Sequence, residues 1–124
     1  MATRAFTSTA IGSSAERLIW TGLLNGDDGT PYGGMLDAIR NIQITGTFGV
    51  GGTVVLEGTL EATPTNYQTL NDLQGNALTF TSGTNRIEQV QEGILTIRPR
   101  VTAGDGTTSL IVTVMQARRS GGVI

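Results

Sequence analysis

Apolar and polar residues alternate along much of this chain, which is the pattern of β-strands with one buried and one exposed face. In residues 40–48, for example, Ile42, Ile44 and Phe48 alternate with polar neighbours. The alternating or β-prone segments are residues 3–10, 17–24, 40–48, 53–61, 68–73, 78–81, 86–91, 94–103 and 108–117.

Turn signals rich in Gly, Asn and Asp separate these segments at intervals of one strand plus one turn. Glycine accounts for 18 of the 124 residues. We interpret the glycine-rich segment 46–52 as a connection between strands, because no Lys follows it and it opens no helix, as a phosphate-binding loop would. Only residues 34–42 show helical spacing, enough for one or two turns. The sequence predicts an all-β, single-domain antiparallel β-sandwich, jelly-roll-like, with seven to nine strands.

The segment 108–117 is apolar on both faces. Leu110, Val112 and Val114 alternate with Ile111 and Met115. Such a strand is either central and covered on both sides, or it has one face against a partner. In the second case Ile111 and Met115 are the contact residues.

Pro99 lies inside the segment 94–103 and has no N–H for a β-ladder. We therefore expect that strand to be an edge strand or to carry a bulge at Pro99. The Gly-Asp-Gly turn at 104–106 predicts a hairpin that pairs residues 94–102 with 108–117.

The two ends of the chain differ from its middle. We predict an N-terminal arm or edge strand at residues 1–10, the sandwich domain at 11–119 and a flexible tail at 120–124. An arm can add a strand to a neighbouring protein, so Arg4 and Phe6 are candidate interface residues. The N-terminus lacks the pattern of a signal peptide, and no apolar run is long enough to span a membrane.

The composition excludes several chemistries. The chain contains no Cys and no His, and all eight basic residues are Arg. It therefore has no thiol nucleophile, no imidazole base or metal ligand, and no Schiff-base lysine. The net charge of −2 argues against nucleic-acid binding. We expect no catalytic, cofactor or metal site, and hence no enzyme.

The acidic residues form no recognisable site. Glu57 and Glu61 are about 13 Å apart on one strand face, too far for a glycosidase pair, and Glu88 and Glu92 have the same spacing. We interpret both pairs as solvated. The segment 25–30 resembles a calcium loop in composition but lacks its acid spacing, so we interpret it as a long polar loop.

Two sets of side chains are candidate binding residues. Arg98 and Arg100 lie on the same strand face, about 6.7 Å from each other. They either bind carboxylates or phosphates through bidentate hydrogen bonds, or they are solvated. Arg118 and Arg119 form a second basic pair, and Arg is enriched at protein interfaces. Trp20 is predicted to be a core residue. Tyr32 and Tyr67, with the loop at 25–32, are the residues that a sugar-binding module would use.

Two longer stretches resemble known proteins. Residues 52–60 followed by 66–70 resemble a sequence pattern of jelly-roll domains, including galactose-binding-like and discoidin-like domains. In this pattern a strand ends in a small polar hairpin and an aromatic residue begins the return strand. Residues 97–114 are similar to small structural proteins of tailed bacteriophages, above all capsid decoration (cement) proteins.

The phage resemblance implies a homo-oligomeric sandwich, a dimer or trimer, on the outer surface of a head. It would bridge subunits of the major capsid protein after synthesis in the host cytoplasm. This role requires no catalytic residue, and it involves neither a nucleic acid nor a membrane as a partner. The alternatives are a neck or tail structural protein and a carbohydrate-binding jelly-roll module. The candidate interface residues are Arg4, Phe6, Arg98, Arg100, Ile111, Met115, Arg118 and Arg119.

Overall fold

A computed structural model describes residues 2–33, 38–81, 87–92 and 96–118, with Arg118 described by its backbone alone. These residues form eleven strands and no helix. The strands are β1 (Thr3–Arg4), β2 (Phe6–Ala10), β3 (Ala15–Leu23), β4 (Asp28–Gly29), β5 (Ala38–Thr47), β6 (Thr53–Thr59), β7 (Gln68–Thr69), β8 (Thr79–Thr81), β9 (Ile87–Gln89), β10 (Thr96–Ala103) and β11 (Ser109–Arg118).

The strands form two sheets. The six-stranded sheet has the order β1-β4-β10-β6-β7, with β8 also paired to β6, and the five-stranded sheet has the order β2-β3-β11-β5-β9. All pairings are antiparallel except β1 with β4.

From β3 onward the pairing is nested. β3 pairs with β11, β4 with β10, β5 with β9, and β6 with β7 and β8. This is a long antiparallel hairpin rolled into two sheets, which is the jelly-roll arrangement. The predicted all-β antiparallel sandwich is confirmed. The strand number exceeds the predicted nine because segment 3–10 is divided at Ala5 and the loop at 25–30 contains β4.

The core lies between the sheets and consists of alternate residues from each strand. Leu18 and Trp20 of β3, Ile42 and Ile44 of β5, and Leu110 of β11 are at most 1% exposed. The predicted core position of Trp20 is confirmed, and its indole Nε1 donates to the carbonyl oxygen of Thr30 at 3.1 Å. The periodicity therefore identifies the buried face of β5 and β11, whereas β6 is buried on both faces from Val54 to Thr59.

The strand that contains Pro99 is not an edge strand, contrary to prediction. β10 lies between β4 and β6, and its register shift falls between Val101 and Ala103 rather than at Pro99. On the β4 side, Ile97 N–H donates to Tyr32 O and Val101 N–H donates to Asp27 O. Pro99 lies between these two bonds and has no paired residue on the β4 side, so its missing N–H is tolerated.

The predicted hairpin of β10 with β11 is also wrong. β10 belongs to the six-stranded sheet and β11 to the five-stranded sheet, so the turn between them crosses the sandwich. The Thr108 hydroxyl donates to Phe48 O at 2.7 Å, and Val50 N–H donates to the Asp105 carboxylate at 3.0 Å. These bonds join the crossing to the glycine-rich β5–β6 connection, where Gly46, Gly49 and Gly51 have positive φ.

The helical spacing at 34–42 was also misleading. Residues 38–42 belong to β5, where burial alternates with a period of two, and residues 34–37 lie outside the described part of the chain. Among the described residues, no helix is long and apolar enough to cross a membrane.

Candidate functional site

Arg98 and Arg100 lie on the outer face of the six-stranded sheet and hold a buried carboxylate of the same chain. Arg98 Nε donates to Glu57 Oε2 at 2.7 Å, and Arg100 Nε donates to Glu57 Oε1 at 3.1 Å. The Glu57 side chain is only 3% exposed. The interpretation of Glu57 as solvated is therefore wrong, although its side chain points to the outer face of the sheet as the alternating pattern predicts.

The segment after β6 explains this burial. Tyr67 lies under Arg98, with the guanidinium carbon 3.8 Å from its ring centroid, and Thr69 of β7 is directly opposite Glu57. Asp28 of β4 accepts a further bond from Arg98 at 3.2 Å. Glu57 thus lies between the neighbouring strands β10 and β7, with the stack of Arg98 on Tyr67 beside it, whereas an isolated strand would expose it.

A cleft of about 430 Å³ lies over this network, lined by Asp28, Glu57, Tyr67, Arg98 and Arg100 among others. Two guanidinium groups and two carboxylates balance in charge, so the cleft has no excess cation for an anionic ligand. Arg100 is the more exposed of the two arginines, with 43% of its side chain exposed against 21% for Arg98. The network can hold the strands together and leaves Arg100 partly accessible from the cleft.

Arg4 attaches the N-terminal arm to the loop at 25–30. Its Nε donates to Asp27 Oδ2 at 2.8 Å, and the N–H groups of Ala2 and Leu24 donate to the same carboxylate at 2.9 Å each. Burial raises the pKa of Asp27, but these bonds outweigh it and the pKa lies below its usual value. The carboxylate therefore acts as a structural anchor within its own chain.

No group of three or more His, Cys, Asp or Glu within the described ranges is placed to bind a metal ion. The neighbouring acid Asp28 accepts bonds from Thr3 and Arg98. Both acids of the loop thus face donors of this chain.

A second polar network lies between the sheets at one end of the sandwich. Arg40 Nε donates to Gln116 Oε1 at 2.8 Å, and Gln116 Nε2 donates to Glu16 Oε1 at 2.7 Å. The Tyr32 hydroxyl also donates to Glu16. Burial lowers the pKa of Arg40. Burial raises the pKa of Glu16, but bonds from Tyr32, Ser8 and Gln116 outweigh it and leave this pKa lowered.

Sequence reasoning missed this internal network although the signal was present. Arg40 is in register with Ile42 and Ile44, and Gln116 is in register with Val112 and Val114, so both occupy inward positions. A polar residue at an inward position of a strand requires a partner there.

The outer face of the five-stranded sheet carries several apolar side chains. β11 is central, between β3 and β5, yet Ile111, Thr113 and Met115 remain half-buried. A groove of about 530 Å³ runs over this face, lined by Arg17, Ile19, Asn41, Ile42, Gln43, Ile87, Thr113 and Met115. Arg17 Nε is shielded from solvent and has no hydrogen-bond partner within the described residues.

The candidate interface residues are thus not brought together. Ile111 and Met115 face outward on the five-stranded sheet, while Arg98 and Arg100 face outward on the six-stranded sheet. Arg4 and Phe6 belong to the arm. Arg118 ends β11 opposite Ala38, and Arg119 and the predicted tail at 120–124 lie outside the described residues.

The aromatic residues considered for sugar binding are engaged within the chain. One face of Tyr67 is covered by Arg98. Tyr32 packs edge-on against Phe6, with 5.3 Å between ring centroids, and its hydroxyl is bonded to Glu16. Tyr32 therefore forms no open platform in this arrangement, whereas Tyr67 is half-buried and lines the cleft described above.

No protein-family model and no curated protein sequence matches the chain. Among solved structures it is similar to the SPBc2 prophage-derived protein YomS, with 10% identity and a TM-score of 0.61 over 87% of this chain and 98% of that one. It also aligns with a cupin-superfamily sugar phosphate isomerase from Silicibacter pomeroyi (15% identity, TM-score 0.46, 92% of this chain and 60% of that one). It further aligns with FeII HppE, with 12% identity and a TM-score of 0.42 over 90% of this chain and 49% of that one.

The likeness to YomS shows a shared fold over nearly the whole of both chains. The jelly-roll sandwich seen here is therefore also the fold of a phage-derived protein of similar size.

Proposed function

We propose that this protein is a structural component of a tailed-phage particle and acts by binding other proteins rather than by catalysis. The observation that carries the proposal is the fold shared with a prophage-derived protein over 87% of this chain and 98% of that one.

The distribution of reactive groups supports a role without chemistry. Glu57, Asp27 and Glu16 each accept several hydrogen bonds from donors of their own chain, and Arg40 is buried against Gln116. An acid that serves as a general base needs access to a substrate proton. Here the acids stabilise the connections between strands.

At the finer level we propose a capsid decoration protein that bridges major capsid subunits. Its docking surface is the outer face of the five-stranded sheet, where Ile19, Thr113 and Met115 surround a single cation, Arg17. An apolar face with few charges is typical of the centre of a protein interface. Many copies on a symmetric shell make weak individual contacts effective through avidity.

The test is co-sedimentation of the purified protein with heads, and separately with tails, of the phage whose genome carries the gene. We expect binding to assembled heads and not to free coat subunits. The variant Ile87→Asp, at a side chain that is 64% exposed, should weaken binding with little change in Tm, whereas Thr102→Asp, on an exposed position of the other sheet, should bind as the parent does.

Each result decides between roles. If the protein binds tails or necks but not heads, the neck or tail role replaces the decoration role. If it binds none of these particles, the structural role is overturned. The carbohydrate-binding alternative has less support because Tyr32 and Tyr67 are engaged within the chain; saturable glycan binding that Tyr67→Ala abolishes would restore it.

A further inference from the structure

The five-stranded sheet ends in a strand with an open outer edge. β2 pairs with β3 from Phe6↔Trp20 to Ala10↔Glu16, and no other described strand pairs with it. Residues 7–10 are all exposed. An edge of this kind presents unpaired N–H and C=O groups, which are a template for another strand.

This edge lacks the features that protect edge strands from pairing. Residues 6–10 read Phe-Thr-Ser-Thr-Ala, with no Pro, no Gly and no charge. The other outer strands are shorter: β1 and β7 have two residues, and β8 and β9 have three. Natural proteins commonly block edges by shortness, charge or Pro. β2 is thus the edge with the best geometry for association among the described strands.

The edge is also preorganised. Phe6 packs edge-on against Trp20, with ring centroids 5.6 Å apart, and the Ser8 hydroxyl donates to Glu16 at 2.7 Å. A strand already held in an extended conformation loses little conformational freedom when it binds.

We propose that β2 pairs antiparallel with β2 of a second copy, about a two-fold axis at Ser8, and joins two five-stranded sheets into one sheet of ten. The sequence is self-complementary in this register. Ser8 lies opposite Ser8 of the other copy, Thr7 opposite Thr9, and Phe6 opposite Ala10. Cross-strand Thr pairs are favourable. The nearest charges, Glu16 and Arg17, lie one strand away on β3.

The two-fold arrangement predicts a closed dimer rather than a filament or a trimer, because each β2 edge is used once. It also places the outer faces of both five-stranded sheets side by side. Thr7 and Thr9 are in register with Ile19 and Arg17, so the joined surface continues the outer face described above. The inference stands independently of the virion role.

Light scattering on the purified full chain tests the proposal first. With rising concentration, the mass should approach twice the 13.0 kDa of the chain. Thr7→Lys/Thr9→Lys places like charges opposite each other across the axis and should weaken dimerisation at least ~tenfold. The control Thr45→Lys, an exposed Thr on β5 of the same sheet, should dimerise as the parent does. A monomer at all concentrations, a trimer, or a dimer indifferent to the double variant would overturn the proposal.

Cysteine crosslinking then tests the register, because the chain has no Cys of its own. Residues directly opposite in an antiparallel pair have Cα atoms about 4.5–5.5 Å apart, within reach of a disulfide. Ser8→Cys should form a covalent dimer, and Thr7→Cys should crosslink with Thr9→Cys faster than with itself. Thr45→Cys should stay uncrosslinked. A dimer in which Ser8→Cys fails to crosslink would place the contact elsewhere.

Discussion

Arg98 and Glu57 are direct cross-strand partners, joined by a bond of 2.7 Å from Nε to Oε2 on the outer face of the six-stranded sheet. Because Glu57 is 3% exposed, its carboxylate depends on the guanidinium groups for the hydrogen bonds that water would otherwise supply. The pair links β6 to β10, and through Asp28 it also reaches β4.

Removal of Arg98 should therefore cost more than removal of its neighbour. We expect Arg98→Ala to lower the free energy of unfolding by about 2–3 kcal/mol, the range for a lost hydrogen bond to a buried charge. Arg100→Ala should cost less than about 1 kcal/mol because Arg100 is 43% exposed and Arg98 still holds Glu57. Urea unfolding followed by the fluorescence of Trp20 measures both. Equal losses would contradict this ranking.

Gly29 is required by a close approach of β4 to the core. A Cβ at this position would lie 2.5 Å from Cδ1 of Trp20 and 2.7 Å from Cδ of Pro99. We expect Gly29→Ala to destabilise the fold by about 3 kcal/mol, the upper part of the usual range for overpacking. Gly106→Ala is the matched control, since no atom lies within 4 Å of its added Cβ, and should stay within about 0.5 kcal/mol. A neutral Gly29→Ala would show that β4 can move away.

Phe6 makes the N-terminal arm part of the folded domain. Its ring packs edge-on against both Trp20 and Tyr32. We expect Phe6→Ala to lower the free energy of unfolding by about 1.5–3 kcal/mol, as for loss of a buried aromatic contact. Thr45→Ala, an exposed position on β5 away from the arm, should change it by less than about 0.5 kcal/mol. Chemical denaturation of both variants at pH 7 is the measurement, and equal stability would mean that the arm is only loosely attached.

Two loop acids should make stability depend on pH in the acid range. Bonds from the side chain of Asn66 and the N–H groups of Thr65 and Asn66 lower the pKa of Glu61 from 4.5 to about 2. Bonds from Thr107 and the N–H of Val50 lower the pKa of Asp105 from 3.8 to about 2. Between these values the unfolded chain binds protons that the folded chain does not, so stability falls as the pH drops from about 5 to about 2.

Glu61→Gln and Asp105→Asn should each flatten this dependence. Tm measured from pH 7 to pH 2 should fall less steeply in either variant, and least steeply in the double variant. Some dependence should remain, because the pKa values of Asp27 and Glu92 are also lowered by hydrogen bonds. A Tm that falls as steeply in the double variant as in the parent would contradict the assignment.

The candidate site shows where prediction from sequence ends. The shared face of Arg98 and Arg100 follows from the two-residue period of β10, and the structure places both guanidinium groups on Glu57. The burial of Glu57 depends on Tyr67 and on the strand that contains Thr69, and the sequence does not reveal that the chain returns beside β6 there. The pattern of β6 alone gives Glu57 an outward, solvated position.

Local periodicity by itself determined most of the extended segments and which of their faces points inward, because alternate side chains of a strand must point to opposite sides wherever the strand lies. It did not determine whether the other face is covered as well, as it is in β6. It also determined the positions of most turns, through Gly, Asn and Asp. The tertiary structure alone decided which strands are neighbours: β10 and β11 separate into different sheets, and Pro99 lies in the interior of one. Pairing depends on burial and hydrogen bonds between residues far apart in the chain, and a short turn signal contains no information about them.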